Sequence, residues 1–333
     1  MKKITTLLLA LLLLAAVLAG CGKQNTDNKT DEAEKLSIVT TIFPEYDWVR
    51  EILGDKTDNA EITMLLDNGV DLHSYQPTAD DIIRISDCDL FVYVGGESDG
   101  WVDDALKNAT NKDMKVINLL DVLGDSVKTE ETVEGMQEEE HDHEHEEGEE
   151  HEHEEEKDEH VWLSLRNAET LVAAISNALQ ELDPDNKDVY AANSDAYIKK
   201  LSALDADYQA AVDAATYKTV LFGDRFPFRY LVDDYGLSYY AAFVGCSAET
   251  EASFETISFL AGKVDELKLP CVLTIEGAQH KIAETIVQNT AEKNQKVLTM
   301  DSMQSTTSKD VANGTTYLSV MEKNLSVLKE AIG

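Results

Sequence analysis

The sequence predicts an α/β protein of two αβ lobes, each built on a mostly parallel sheet, joined by one long rigid helix. Three observations carry that prediction. Short β-favouring apolar runs alternate with stretches of helical periodicity, the pattern of a parallel sheet with helices on its faces. The alternation occurs twice, on either side of an interruption near the middle of the chain. Between the two series, residues 186–215 hold neither proline nor glycine and repeat apolar positions at Tyr190, Tyr197, Leu201, Leu204 and Tyr208, as one long helix would. Setting the leader and tether at the start aside leaves about three hundred residues, enough for two cores rather than one.

The elements follow in order. LSIVTTI from Leu36 is a strand, and PEYDWVREIL a helix with Pro44 at its start and Gly54 past its end. AEITMLL is the next strand, TADDIIRISDC a helix after Pro77, DLFVYVGG a buried strand, SDGWVDDALKNA a helix and KVINLL a strand. After the interruption, VWLSLRNAETLVAAISNALQEL places Leu171, Ile175 and Leu179 on one helical face and stops at Asp183-Pro184. The second series has strands TVLFG, LSYYAAFVG, PCVLTIEG and QKVLTM, with helices in RFPFRYLVDDYG, SFETISFLAGKVDELK, AQHKIAETIVQNTAE and YLSVMEKNLSVLKEAI. The expected division is a leader at 1–20, a tether at 21–35, a first lobe at 36–165, helices at 166–216 and a second lobe at 217–333. Two lobes around one helix leave a cleft, which is where ligands bind in such arrangements.

The beginning of the chain is an address. Met1-Lys2-Lys3 precedes a short apolar run that ends in small residues, the build of a secretory signal. Leu18-Ala19-Gly20-Cys21 resembles a bacterial lipoprotein box, which implies cleavage before Cys21 and lipid attachment to it. The polar stretch behind it is a flexible tether of roughly 20 Å. The expected location is therefore the extracytoplasmic face of the cell membrane, with a lipid on Cys21 as the anchor.

Charge and histidine content narrow the chemistry. The formal net charge is −37, and residues 130–159 hold eighteen acids against Lys157. A basic nucleic-acid footprint is missing, and GGESDG after DLFVYV lacks the spacing of a phosphate loop. Six of the eight histidines fall between Gln137 and Val161, interleaved with acids as His141, His143, His145, His151, His153 and His160. Imidazole and carboxylate are both ligands for borderline divalent cations. With almost nothing apolar to pack, the loop over about 128–159 is expected to be disordered, binding metal weakly at several places. Such a collector implies a better site elsewhere. Cys88, Cys246 and Cys271 lack metal-finger spacing and are expected to be structural, with a Cys246–Cys271 disulfide as one option.

For the better site, His73 stands in LLDNGVDLHSYQPTADD directly after a strand, at the carboxyl end of the sheet where cleft residues belong. His160 opens a helix at the far edge of the acidic tract. Here the chain resembles the solute-binding lipoproteins of ABC-type zinc and manganese transporters, of the zinc-uptake type. TTIFPEYDWVREILGDK resembles that family's first strand and helix, GVDLHSYQPTADDI its first ligand loop, DEHVWLSLRNA its second, and YLVDDYGL the segment after its third ligand. The resemblance implies His73 and His160 as metal ligands. It also implies Asp301 in KVLTMDSMQST. At the family's third ligand this chain has Arg225, with Asp224 beside it as the nearest substitute. Glu276, Glu249 and Glu251 are weaker candidates, and His280 is assigned to a polar helix face.

Two imidazoles with one or two carboxylates suit Zn²⁺. Manganese prefers more oxygens and is the alternative ion. The resemblance further implies a monomeric receptor that passes its ion to an ABC permease with an ATPase subunit, and no nucleic-acid partner. Two other classes compete with this reading: a surface metal-buffering or adhesive lipoprotein, which the tether and tract suit, and an extracellular zinc hydrolase. The hydrolase would need an open coordination position and a placed general base. No His-Glu-x-x-His and no nucleophile constellation is present, so the chain is expected not to be an enzyme.

Overall fold

β-Branched and aromatic residues build the first sheet. The structure, a computed structural model, describes residues 35–137, 156–247, 251–277 and 279–333. Strand β1 (Leu36–Thr40) lies at the centre, because both faces of Ile38 and Val39 are covered. β2 (Ala60–Met64) and β3 (Leu90–Tyr93) flank it, and β4 (Lys115–Asn118) follows β3, giving the order β2-β1-β3-β4. Every pairing is parallel: Leu36 stands opposite Ala60, Ile38 opposite Leu90, and Leu90 opposite Lys115. The crossovers are α1 (Phe43–Leu53), α2 (Ala79–Asp87) and α3 (Val102–Lys107), with α4 (Leu119–Leu123) after the last strand. Local chemistry starts and stops them. The Glu45 carboxylate accepts from the backbone N–H of Thr41 (2.8 Å) and Ile42 (3.2 Å), and Gly54 takes φ 55° past the end of α1. Thr78 and Asp81 close a reciprocal cap on α2.

Two helices connect the lobes. α5 (Leu165–Leu182) stops at Asp183, and α6 (Lys187–Ala214) runs unbroken for 28 residues, about 42 Å. Tyr190, Tyr197, Leu201, Leu204 and Tyr208 are all buried along α6, on the positions the sequence periodicity marks.

The second lobe repeats the first. β5 (Thr219–Phe226), α7 (Arg229–Tyr235), β6 (Ser238–Val244), α8 (Phe254–Leu267), β7 (Cys271–Thr274), α9 (Lys281–Asn289) and β8 (Lys296–Thr299) give a parallel sheet of order β6-β5-β7-β8. In both sheets the first strand of the lobe lies between the second and the third, so both reverse strand order at the same place. A short α10 (Ser308–Ala312) and a terminal α11 (Tyr317–Ile332) complete the chain. α11 returns to the first lobe, where Tyr317 N–H donates to Asp47 (2.8 Å) and its ring meets Trp48 edge-on. One continuous buried cluster therefore runs from Ile38 through α6 to Ile332, with a smaller one under α8 and α9 around Val264 and Ile286.

Three expectations need correction. β5 continues past TVLFG to Phe226, with an irregularity between Phe222 and Arg225, so Arg225 is a strand residue opposite Phe243. Pro227 disfavours helical backbone at Phe226, which delays α7 to Arg229. Second, the roots of the acidic loop are ordered. Thr129 and Lys157 form an antiparallel bridge, and Glu130 N–H donates to the Glu156 carbonyl (2.8 Å). Met136 is buried, and Gln137 N–H donates to Ala242 in the second lobe (2.9 Å), because Val133 and Met136 supply the apolar anchors that the rest of the tract lacks. Third, Cys88, Cys246 and Cys271 are all free thiols. His141, His143, His145, His151, His153, Glu249 and Cys21 lie outside the described residues.

Candidate metal centre

His73 leaves the carboxyl end of β2 on a single 3-10 turn, Leu72–Ser74. Asp71 caps that turn by accepting from His73 N–H (3.1 Å). The ring's Nδ1 lies 2.8 Å from Ser98 Oγ and 3.4 Å from Glu159 Oε2. His160 is fully buried, and Asp158 Oδ1 accepts from both its backbone N–H and its Nδ1, each at 2.9 Å. With each Nδ1 held by an oxygen, each Nε2 is directed inward. The two Nε2 atoms face each other at 3.2 Å. Two nitrogens bound at about 2.0–2.1 Å to one tetrahedral ion stand roughly 3.3 Å apart, so the pair is already spaced for a shared cation.

The second lobe closes over this pair. Cys246 follows β6, and one ligand atom each from His73, His160 and Cys246 lie within 4.8 Å of one another. Glu130 Oε1 accepts from Cys246 N–H (3.0 Å). Gly245 lets the loop in: a Cβ there would stand 2.9 Å from His160 Cε1 and 3.0 Å from the Phe226 carbonyl. Gln304, from the segment after β8, lays its carboxamide across both imidazoles. With its oxygen toward His160 Nε2 (3.2 Å), its nitrogen stands 3.3 Å from His73 Nε2. Trp162 Nε1 donates to the Ser302 carbonyl (2.8 Å), pinning the His160 turn to that same segment.

The other sequence candidates are placed differently. Arg225 pairs with Asp71 and also donates to the Ser247 carbonyl (3.4 Å), tying β5 to the His73 turn. Asp224 does not join the cluster. Its Oδ2 accepts from Thr274 Oγ1 (2.6 Å) and Ile275 N–H (3.3 Å), because the β5 irregularity turns it toward β7. Asp301 also stands outside the 4.8 Å set, with Oδ1 accepting from Met303 N–H (2.9 Å) and its backbone held by Asn324 of α11. Glu276 is engaged by Ser302 and Gln304 N–H. Glu251 offers its carbonyl to Gln137 (3.5 Å). His280 stands at the N-cap position of α9 and meets Thr274 Oγ1 at 3.1 Å, beside a cleft of about 520 Å³ rather than on a helix face.

The electrostatics favour an incoming cation. Burial, and then the neighbouring His160, hold the His73 pKa down to about 3, so the ring is neutral and its lone pair available at ordinary pH. Burial pushes Glu159, Glu276 and Asp301 above the usual carboxylate range, with Asp301 adding to the effect on Glu276. Asp71 goes the other way: against the upward push of its burial, Arg225 and His73 together hold it below the usual carboxylate value. A cavity of about 270 Å³ opens onto His73 and Cys246 between Glu97, Glu156 and Glu159.

The sequence motifs single out both histidines that meet here, but not Cys246, Gln304, Ser98, Asp158 and Glu159 around them. Asp158 and Glu159 were legible as the residues directly before His160 in DEH. Cys246 shares with His73 a place in the loop that follows the second strand of its lobe, although the sequence spacing of its thiol marks no metal site.

Comparison with known proteins places the chain. The family model described as "Zinc-uptake complex component A periplasmic" (ZnuA) matches residues 38–331. The zinc-binding lipoprotein AdcA of Streptococcus pneumoniae serotype 4 is 35% identical over 330 residues, 99% of this chain and 61% of that protein. The chain thus spans about 61% of that relative's length. The high-affinity zinc uptake system protein ZnuA of Bacillus subtilis is 32% identical, over 95% of this chain and 94% of its own length. The crystal structure of the Zn(II)-bound ZnuA-like domain of Streptococcus pneumoniae AdcA matches with a TM-score of 0.68 at 31% identity, covering 90% of this chain and 99% of that one. With two parallel-sheet lobes, a long connecting helix and a family match across almost the whole described chain, the protein belongs to the ZnuA family of zinc-uptake solute-binding proteins.

Proposed function

We propose that this chain is an extracytoplasmic, high-affinity Zn²⁺ receptor that delivers its ion to an ABC-type permease driven by a separate ATPase subunit. The single observation that carries the reading is the pair of inward Nε2 atoms 3.2 Å apart, each ring fixed from behind by an oxygen. His73 and His160 bind the ion as neutral imidazoles. Asp301 is the lobe-two carboxylate proposed to join on loading, whereas Asp224 is committed to Thr274 and Ile275. Ligands from both lobes make closure and occupancy thermodynamically linked. The core shared across α6 opposes wide hinge bending, so loading is proposed to reorder the segments around Asp301 and Gln304 rather than swing the lobes.

Anchoring is proposed through a lipid on Cys21. Among the described residues no helix is long and apolar enough to cross a membrane. The histidine tract is proposed as a weak collector beside the cleft. A hydrolytic role is disfavoured because Glu276, the carboxylate a base would be recruited from, already accepts from Ser302 and Gln304.

The test is competitive zinc and manganese titration of protein from Gly22 onward. One tight zinc equivalent is expected, weakened about 100-fold or more in His73→Ala. It should survive replacement of residues 138–155 by a short Gly-Ser linker. That replacement must spare Asp158 and Glu159, which touch the two rings. Weak multi-site binding indifferent to His73→Ala would make the tract the metal site and end the transport reading.

A further inference from the structure

Resemblance places a third ligand where this chain has Arg225. A guanidinium has no lone pair to give a cation, and this one is committed to Asp71 and the Ser247 carbonyl. The donor must come from elsewhere. The loop after β6 brings Cys246 to the two imidazoles, and those three side chains are the set of ligand-bearing groups that converges among the described residues. A second feature of the cluster points to a cation. Glu159 is 2% exposed and lines the cavity shared by His73 and Cys246, and its Oε2, 3.4 Å from His73 Nδ1, accepts no hydrogen bond. The backbone also commits to the approach, since only a glycine at 245 lets the loop reach the His160 ring. The other thiols differ: Cys88 contacts Met114 and the Ile85 carbonyl, and Cys271 is buried in β7.

We infer that Cys246 is the third protein ligand, bound as thiolate, and that the site therefore selects a thiophilic divalent cation and rejects manganese. This rests on the receptor reading above and names the class of ion that the receptor takes. On binding, the Sγ–H bond breaks, a sulfur lone pair forms the S–metal bond, and the proton leaves. The Glu130 carboxylate, hydrogen-bonded to the Cys246 side chain, is placed to accept it. Without metal, burial foremost keeps the thiol protonated, with the Glu130 and Glu159 carboxylates adding to it. Thiolate donors suit zinc and cobalt, whereas manganese favours oxygen.

Cobalt(II) reports the ligand directly, because a coordinated thiolate adds an intense sulfur-to-metal absorption in the near ultraviolet. Protein from Gly22 onward, loaded with cobalt(II), is expected to show that band and to lose it when zinc displaces the cobalt. The Cys88→Ala/Cys271→Ala double variant should keep the band. Cys246→Ser should lack it, bind zinc about 100-fold or more weakly, and lose much of the preference for zinc over manganese. One tight zinc equivalent with a cobalt spectrum free of sulfur absorption would remove Cys246 from the site and leave the receptor reading intact. No tight equivalent in the parent protein would remove both. If Cys246→Ser fails to fold, the spectra of the parent and the double variant decide the matter.

Discussion

The loops after β2 and β6 occupy the same place in their lobes, yet they present their donors by different means. Each follows the second strand, at the edge of a sheet of the same order. The lobe-one loop fixes His73 with side chains: Asp71 caps its turn, and Ser98 and Glu159 stand behind its Nδ1. The lobe-two loop brings Cys246 in through backbone geometry, with Gly245 against the His160 ring and Glu130 accepting from the Cys246 N–H. Glu130 belongs to the segment that roots the acidic tract, so the first lobe supports the second lobe's donor. Topology decides where donors emerge, and local chemistry decides which element they offer.

The largest test of that comparison removes the oxygen behind a ring. Asp158→Ala frees His160 Nδ1 and its tautomer, and zinc affinity should fall about 10- to 100-fold with the fold intact. An unchanged affinity in competition titration would mean that the rings are placed by packing alone. Next, Gly245→Ala puts a Cβ within 3.0 Å of the His160 ring and the Phe226 carbonyl. Overpacking of this kind costs about 1–3 kcal/mol. Thermal unfolding should show that loss, together with weakened zinc binding. A fully stable variant that also binds zinc normally would show that the two loops need no such close approach.

The smallest expected effect concerns Asp99, which supports the lobe-one side through Gly95 N–H (2.9 Å) and has one buried oxygen without a partner. Burial raises its pKa to about 7 from 3.8, with Glu159 adding to the effect. Because the folded value lies above the unfolded one, its contribution to stability is full below pH 3.8 and is lost as the pH rises through 7. Asp99→Asn should therefore stabilise the protein by about 1–2 kcal/mol at pH 8 and change little at pH 4. Denaturant unfolding at the two pH values measures this. Equal effects at both would place the Asp99 contribution in hydrogen bonding rather than charge.

Much of this protein was legible in its sequence for a local reason. Strand and helix periods, Pro44 and Gly54 around α1, and the unbroken run of α6 act within a few residues of themselves. His73 and His160 were legible because each sits in a short motif. Glu276 and Asp301 were recognisable as carboxylates at strand ends. Their present engagement with Ser302, Gln304 and Asn324 depends on how the segment after β8 folds back onto α11.

The sequence by itself determined two αβ lobes, the long helix between them, the pair of histidines and the acidic, histidine-rich character of the tract that precedes His160 in the chain. These are periodicities and short spacings, which a chain carries wherever it goes. Only the tertiary structure decided that Arg225 binds Asp71 instead of leaving its position to a metal ligand, that Asp224 turns to Thr274, and that Cys246 arrives beside His73 and His160. Cys246 lies 173 positions from His73 and 86 from His160 along the chain. No local pattern encodes that meeting. It follows from two sheets of the same order closing across one shared core, with a glycine where any side chain would hold them apart.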